Sequence, residues 1–155
     1  MADDHLILVL GRRGCGKTFL ARKLAHAWPP DRILVHDPMA EFPQYEVIPD
    51  DFDPETFTPG TLVIADEIDL VAPPPGYAAP WVRHVTHYGR HSGVSMIGCS
   101  RRPANIHRDI SALATRVYLG RMTEPRDVDY CVKAWGTRCE GVSQLEAWQF
   151  IVLEP

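Results

Sequence analysis

Eight consecutive residues, Gly11-Arg12-Arg13-Gly14-Cys15-Gly16-Lys17-Thr18, carry the clearest chemistry in the chain. Three glycines let backbone N–H groups curl around an anion, Lys17 adds a compact positive charge, and Thr18 adds a hydroxyl oxygen suited to Mg²⁺. The spacing fits G-x-x-x-x-G-K-[ST], whose ligand is the β- and γ-phosphates of a nucleoside triphosphate such as ATP. A glycine turn merely entering a helix is the structural alternative, but so full a pattern should arise by chance in well under about 1% of chains this long. Cys15 lies near a helix start and Lys17, surroundings that lower a thiol pKa. A redox switch is the functional reading there, and a tolerated loop residue the plain one.

About 50 residues downstream, Asp66-Glu67 follows the apolar run Leu62-Val-Ile-Ala65. In that position Asp66 can hold Mg²⁺ directly or through water, while Glu67 orients and polarises an attacking water. A carboxylate pair after a strand is common by itself. Combined with the phosphate loop, it predicts hydrolysis of ATP rather than transfer to a small acceptor. Asp69 reads as a helix start or a surface charge.

These groups need a scaffold that puts a loop and a strand end side by side. Leu6 to Leu10 is a continuous apolar run ending at Gly11, the pattern of a strand buried on both faces of a parallel sheet. Helical spacing follows from Thr18 to Trp28, where Pro29-Pro30 stops it. Further strands are expected over 33–36, 61–65, 94–99, 115–119 and 147–153, with a possible edge strand over 45–48. Helices are expected over about 79–91, 103–114 and 125–135, and 136–146 reads as loop. Strands alternating with helices imply right-handed crossovers and a mainly parallel α/β sheet covered on both faces, in one domain spanning 1–155.

Composition narrows the function classes. The 155 residues are 45% hydrophobic and 23% charged, ordinary globular usage, and no apolar stretch approaches the ~18 residues of a membrane span. The acidic start, Met-Ala-Asp-Asp, is unlike a basic secretory leader, so a cytoplasmic protein is expected. Four cysteines without a Cys-x-x-Cys pair read as reduced thiols. Net charge is −4 but uneven: residues 1–80 hold 6 Lys and Arg against 13 Asp and Glu, and 81–155 hold 10 against 7. From Arg83 to Arg126 there are 8 arginines and two carboxylates, an excess that could meet a polyanion or simply form a solvated face.

The stretch Tyr88-Gly-Arg90-His-Ser-Gly93-Val-Ser-Met-Ile-Gly-Cys-Ser100-Arg101-Arg102-Pro103 places an arginine before a Gly-led apolar strand that ends in a polar-Arg-Pro signature. With the phosphate loop and Asp66-Glu67, it resembles the FtsK/HerA superfamily of DNA-pumping ATPases over residues 6 to about 119. The continuation through Asn105-Ile-His-Arg108-Asp-Ile110 and Glu124-Pro-Arg-Asp127 is most similar to the small genome-packaging ATPases of tailless, membrane-containing icosahedral viruses. That resemblance implies a RecA-like (ASCE) P-loop NTPase fold and an oligomeric ring, commonly a hexamer. It also implies ATP and Mg²⁺ as ligands, double-stranded DNA and a capsid or portal-vertex protein as partners, and a place in the host cytoplasm or at the virion vertex.

Residue by residue, Arg90 matches the arginine finger that reaches the γ-phosphate of a neighbouring subunit. Ser100 or Arg101 falls where the family keeps a polar sensor, usually glutamine. Arg102 and Arg108 are candidate DNA contacts, with an ordinary surface role as the alternative. His36-Asp37 resembles a polar pair near the nucleotide, with a cap on the turn before Pro38 as the alternative for Asp37. His84, His87 and His91 recur at helical spacing, yet a half-exposed helix with Trp81 and Tyr88 explains them without zinc. Trp135 and Trp148 read as packing rather than as base-stacking platforms. The competing function is a monomeric P-loop nucleotide kinase or nucleotide-binding regulator, against which Glu67, Arg90 and the lack of a Lys/Arg-rich lid all count.

Overall fold

The computed structural model describes residues 5–155; the acidic Met1–Asp4 stretch lies outside it. Among the described residues, seven strands form one sheet in the order β3-β2-β4-β5-β1-β6-β7. They are β1 (Leu6–Leu10), β2 (Ile33–His36), β3 (Glu46–Val47), β4 (Leu62–Ala65), β5 (Ser95–Ser100), β6 (Arg116–Leu119) and β7 (Ile151–Leu153). Every pairing is parallel except the last, where β7 runs antiparallel to β6 with Leu119 opposite Ile151. The α-helices are α1 (Lys17–Ala25), α2 (Pro80–Ser92), α3 (Arg108–Leu113) and α4 (Pro125–Trp135).

The apolar run of β1 is explained by its central place, since both faces are covered. Ile7 and Val9 join Ala21 and Ala25 of α1 and Ile97 and Cys99 of β5 in one core layer. Leu6, Leu8 and Leu10 point the other way, into a larger layer with Trp81, Val82 and Val85 of α2, Ile110 of α3 and Cys131 of α4. The strand thus divides its side chains by the period of two that a pleated strand imposes.

Local boundaries follow from caps and breakers. Pro80 occupies the first turn of α2, and Gly93 (φ 70°) ends it in the left-handed conformation. Within α2, Gly89 is pressed on the start of β5: a Cβ there would lie 2.6 Å from the Val94 carbonyl oxygen. Gly89 facing inward leaves its neighbour Arg90 on the exposed side.

Several expected elements shorten. The helix expected to Trp28 ends at Ala25 and runs on as a turn to Pro29. The helix expected over 103–114 divides into a 3-10 turn, Pro103–Asn105, and α3, because Arg102 and Ile106 are non-helical. The expected loop 136–146 is largely a 3-10 segment, Thr137–Gln144. The strand expected from Ala147 begins only at Ile151, since Trp148 has φ 70° and cannot continue an extended ladder.

Candidate active site

The phosphate loop is held at its base before it begins to turn. Gly11 N–H donates to the Ser100 carbonyl (3.1 Å) and Arg12 N–H to that of Arg121 (2.8 Å), anchoring the loop to the segments after β5 and β6. Gly14 (φ 80°) and Gly16 (φ 103°) take backbone conformations that other residues resist. The loop feeds α1, whose first N–H groups lack intrahelical partners and carry the positive end of the helix dipole. Lys17 folds back, its Nζ donating to the Arg12 carbonyl (3.1 Å).

Asp66 and Glu67 follow β4 and face this loop. The carboxyl of Asp66 is pushed up to about 6, first by burial, then by Glu67 and Asp37. Its N–H donates to the His36 carbonyl (3.0 Å), while His36 Nδ1 lies 3.2 Å from the Asp66 carbonyl oxygen and Nε2 2.9 Å from Asp50. His36 thereby braces the acidic strand end from β2. Asp37 accepts from the N–H groups of Glu41 and Phe42, both at 2.8 Å, and so caps a turn. Glu67 has φ 50°, a left-handed conformation that a glutamate adopts only under constraint.

The third wall is the end of β5. Ser100 is fully buried, donates its hydroxyl to Asp69 (2.9 Å) and accepts the N–H of Arg102 (3.1 Å). Arg101 is exposed and turns toward the acidic pair, with Nε 3.9 Å from a Glu67 oxygen. Asp69 stands in the first turn of a 3-10 segment, Ile68–Leu70, in line with its reading as a helix start, and it also partners the strand end through Ser100. Arg13, Lys17, Thr18, Asp66, Glu67, Asp69 and Arg101 line one open cleft of about 580 Å³, together with Phe19, Met39, Leu70 and Trp148. A smaller cleft of about 130 Å³ beside it gathers Arg12, Arg13, Arg101 and Arg102.

Two points differ from the sequence reading: the lowered thiol pKa expected at Cys15, whose plain reading as a loop residue stands, and the packing expected of Trp148. The Cys15 thiol is 2% exposed, and its burial raises its pKa, outweighing Lys17, which alone would lower it. It fills space against Gly11 and Gly120 instead of facing solvent as a reactive thiolate. Trp148 does not pack in the core: it is 61% exposed and lies across Gly16, where a Cβ would meet its Cε3 at 2.8 Å. Trp135, by contrast, packs against the larger core layer and edge-on to Tyr130.

Arg90 is exposed on α2 and does not line the cleft of its own chain. Arg102 is paired with buried Asp127 (2.7 Å) and with Glu124 (3.4 Å), while Arg108 at the start of α3 is exposed. His84 packs beside Tyr88 and Phe57, and His87 lies 3.4 Å from Asp109. Among the described residues there is no group of three or more His, Cys, Asp or Glu side chains arranged to hold a metal, and no helix long and apolar enough to cross a membrane. Thr18 and the buried, charge-crowded Asp66 do fit a hard divalent cation whose remaining ligands are phosphate oxygens and water.

No protein-family model and no curated protein matches the sequence. Solved structures do. The genome packaging NTPase B204 from Sulfolobus turreted icosahedral virus 2, in complex with AMPPCP, superposes with a TM-score of 0.81 at 18% identity, over 97% of this chain and 92% of that one. The N-terminal domain of zonular occludens toxin from Neisseria meningitidis gives 0.57 at 19% identity over 74% and 75% of the two chains. ATPases 2 and 3 of EssC from Geobacillus thermodenitrificans give 0.67 at 13% identity, over 99% of this chain and 38% of that one. This chain has the α/β RecA-like fold of P-loop NTPases.

Proposed function

We propose that the chain hydrolyses ATP to drive double-stranded DNA through a homo-oligomeric ring, as a viral genome-packaging motor. The observation that carries this reading is the meeting of the phosphate loop, Asp66-Glu67 and Arg101 in one cleft. The likeness of the fold to B204, a genome packaging NTPase, supports the coupling to DNA.

In this reading the loop N–H groups and Lys17 hold the β- and γ-phosphates, and Lys17 exchanges the Arg12 carbonyl for phosphate oxygen. Thr18 and Asp66 would hold Mg²⁺, which would supply positive charge against the phosphates. Glu67 takes the proton of the attacking water, and its constrained backbone fixes where that carboxylate points. Arg101 is the sensor: it is exposed in the cleft, whereas the Ser100 hydroxyl is already committed to Asp69. Arg90 lies away from its own cleft and acts on that of the next subunit, which makes activity depend on assembly, in a hexamer by resemblance. DNA is gripped without regard to sequence by the arginine-rich second half, Arg108 included. A capsid or portal-vertex protein is the docking partner, and the motor works in the host cytoplasm and at the virion vertex.

Steady-state ATP hydrolysis against protein concentration, with and without double-stranded DNA and with Lys17→Ala as blank, tests this. Specific activity should rise with both concentration and DNA. Flat activity indifferent to DNA would instead select the monomeric kinase or regulator.

A further inference from the structure

The aromatic side of the cleft is unused by the chemistry above. Trp148 is large, apolar and 61% exposed, and Phe19, immediately after Thr18, is 56% exposed. Their rings meet edge to face with centroids 5.1 Å apart and an interplanar angle of 86°. Two exposed aromatics side by side represent apolar surface left in water, which a fold normally avoids unless something covers it.

Trp148 is also held deliberately. Its N–H donates to the Cys15 carbonyl inside the phosphate loop (3.0 Å), and its six-membered ring lies against Gly16. A tight turn braces it: Gln149 N–H donates to the Glu146 carbonyl (3.2 Å), and the Gln149 side-chain oxygen accepts the Glu146 N–H (2.9 Å). The left-handed backbone at Trp148, φ 70°, is costly for an aromatic residue and places the ring beside the loop instead of in strand β7. The same cleft is thus lined by cations and hydroxyl near Lys17 and by flat apolar rings next to them. A ligand matching both has an anionic end and a planar aromatic end.

We infer that Trp148, edged by Phe19, is the stacking platform for the nucleobase of the triphosphate bound at Lys17. This rests on the nucleotide reading of the phosphate loop and extends it to the base. Stacking on an aromatic ring strengthens base binding roughly 5- to 100-fold, and requires no hydrogen bond to the base edge.

The test compares two ligands that share the phosphates and differ in the base: Mg-ATP and inorganic Mg-tripolyphosphate, each titrated by calorimetry into wild type, Trp148→Ala and Trp148→Phe. Trp148→Ala should weaken ATP roughly 5- to 100-fold while leaving tripolyphosphate affinity unchanged, and Trp148→Phe should recover most of the loss. Retained tripolyphosphate binding also shows that the variant is folded. An equal loss for both ligands would overturn the inference and make Trp148 a prop for the loop, and no loss for either would overturn it as well. If wild type binds neither ligand, the nucleotide reading itself falls, a result distinct from either variant outcome.

Discussion

Arg101 and Glu67 face one another across the cleft, Nε to carboxylate oxygen at 3.9 Å, from the ends of the adjacent parallel strands β5 and β4. On the proposed reading, Arg101 contacts both Glu67 and a bound phosphate from this position. Arg101→Ala is expected to lower kcat about 100-fold or more, the usual cost of removing one preorganised charge donor. Ser100→Ala should act on stability instead, since it leaves Asp69 without its donor; a fall in Tm with kcat within a few-fold is the expected pattern. Thermal melts and steady-state kinetics on both variants separate the two roles.

Glu67→Gln keeps the shape of the side chain and removes its basicity. Hydrolysis should fall on the order of 10²- to 10⁴-fold while Mg-ATP binding persists, read by phosphate release and by equilibrium titration of the same preparation.

Asp66 makes stability depend on pH with a definite sign. Its carboxyl keeps a proton up to about pH 6 in the folded protein but releases it near 3.8 in the unfolded chain. The folded state therefore binds more protons between those values, and this group's contribution to stability falls as pH rises through that window. Nucleotide-free Asp66→Asn should melt a few degrees higher than wild type at pH 7, a gain on the order of 1–2 kcal/mol, and lose the dependence. The same variant should lose Mg²⁺-dependent hydrolysis, and wild-type kcat/KM, which reports the nucleotide-free enzyme, should decline below about pH 6 as Asp66 becomes neutral. Tm and rate measured across pH 4.5–8 check both halves.

Arg102 and Arg108 should part company. Arg102 balances Asp127, which is 1% exposed and holds the Ala104 N–H (3.3 Å) against α4. Arg102→Ala is expected to cost roughly 1–3 kcal/mol of stability by leaving that carboxylate unpaired. Arg108→Ala should leave Tm unchanged and reduce the salt dependence of DNA binding by about one unit of slope. Denaturant melts and DNA binding against salt read the two effects.

If Arg90 serves the neighbouring subunit, Arg90→Ala and Lys17→Ala should each be inactive alone and regain part of the activity when mixed. A mixture as inactive as its components would remove the assignment in trans.

How much of this was visible in the sequence depends on how local each feature is. The phosphate loop, the acid pair and the buried strands are written in contiguous residues, and their chemistry requires that spacing. Asp69 is legible as a helix start, but its partner, Ser100, is not, because only the pairing of β4 with β5 brings the two together. The direction of the Cys15 pKa shift is not legible, because charge near it can be counted in the sequence whereas burial against Gly120 cannot. The late start of β7 and the exposure of Trp148 turn on one left-handed residue, and nothing in Leu145-Glu-Ala-Trp148 announces it. The pairing of Arg102 with Asp127 is a tertiary event between a strand end and a helix 25 positions apart.

The backbone at Glu67 sets folding and catalysis in opposition. At φ 50° a glycine would sit without strain, so Glu67→Gly should relax the backbone and raise the thermal stability of the empty protein even as it abolishes turnover. A search for hardier variants that scored only survival on heating would be drawn to this position and would return inert proteins. On the proposed reading, only selection for work, rather than for durability, would keep an acid there.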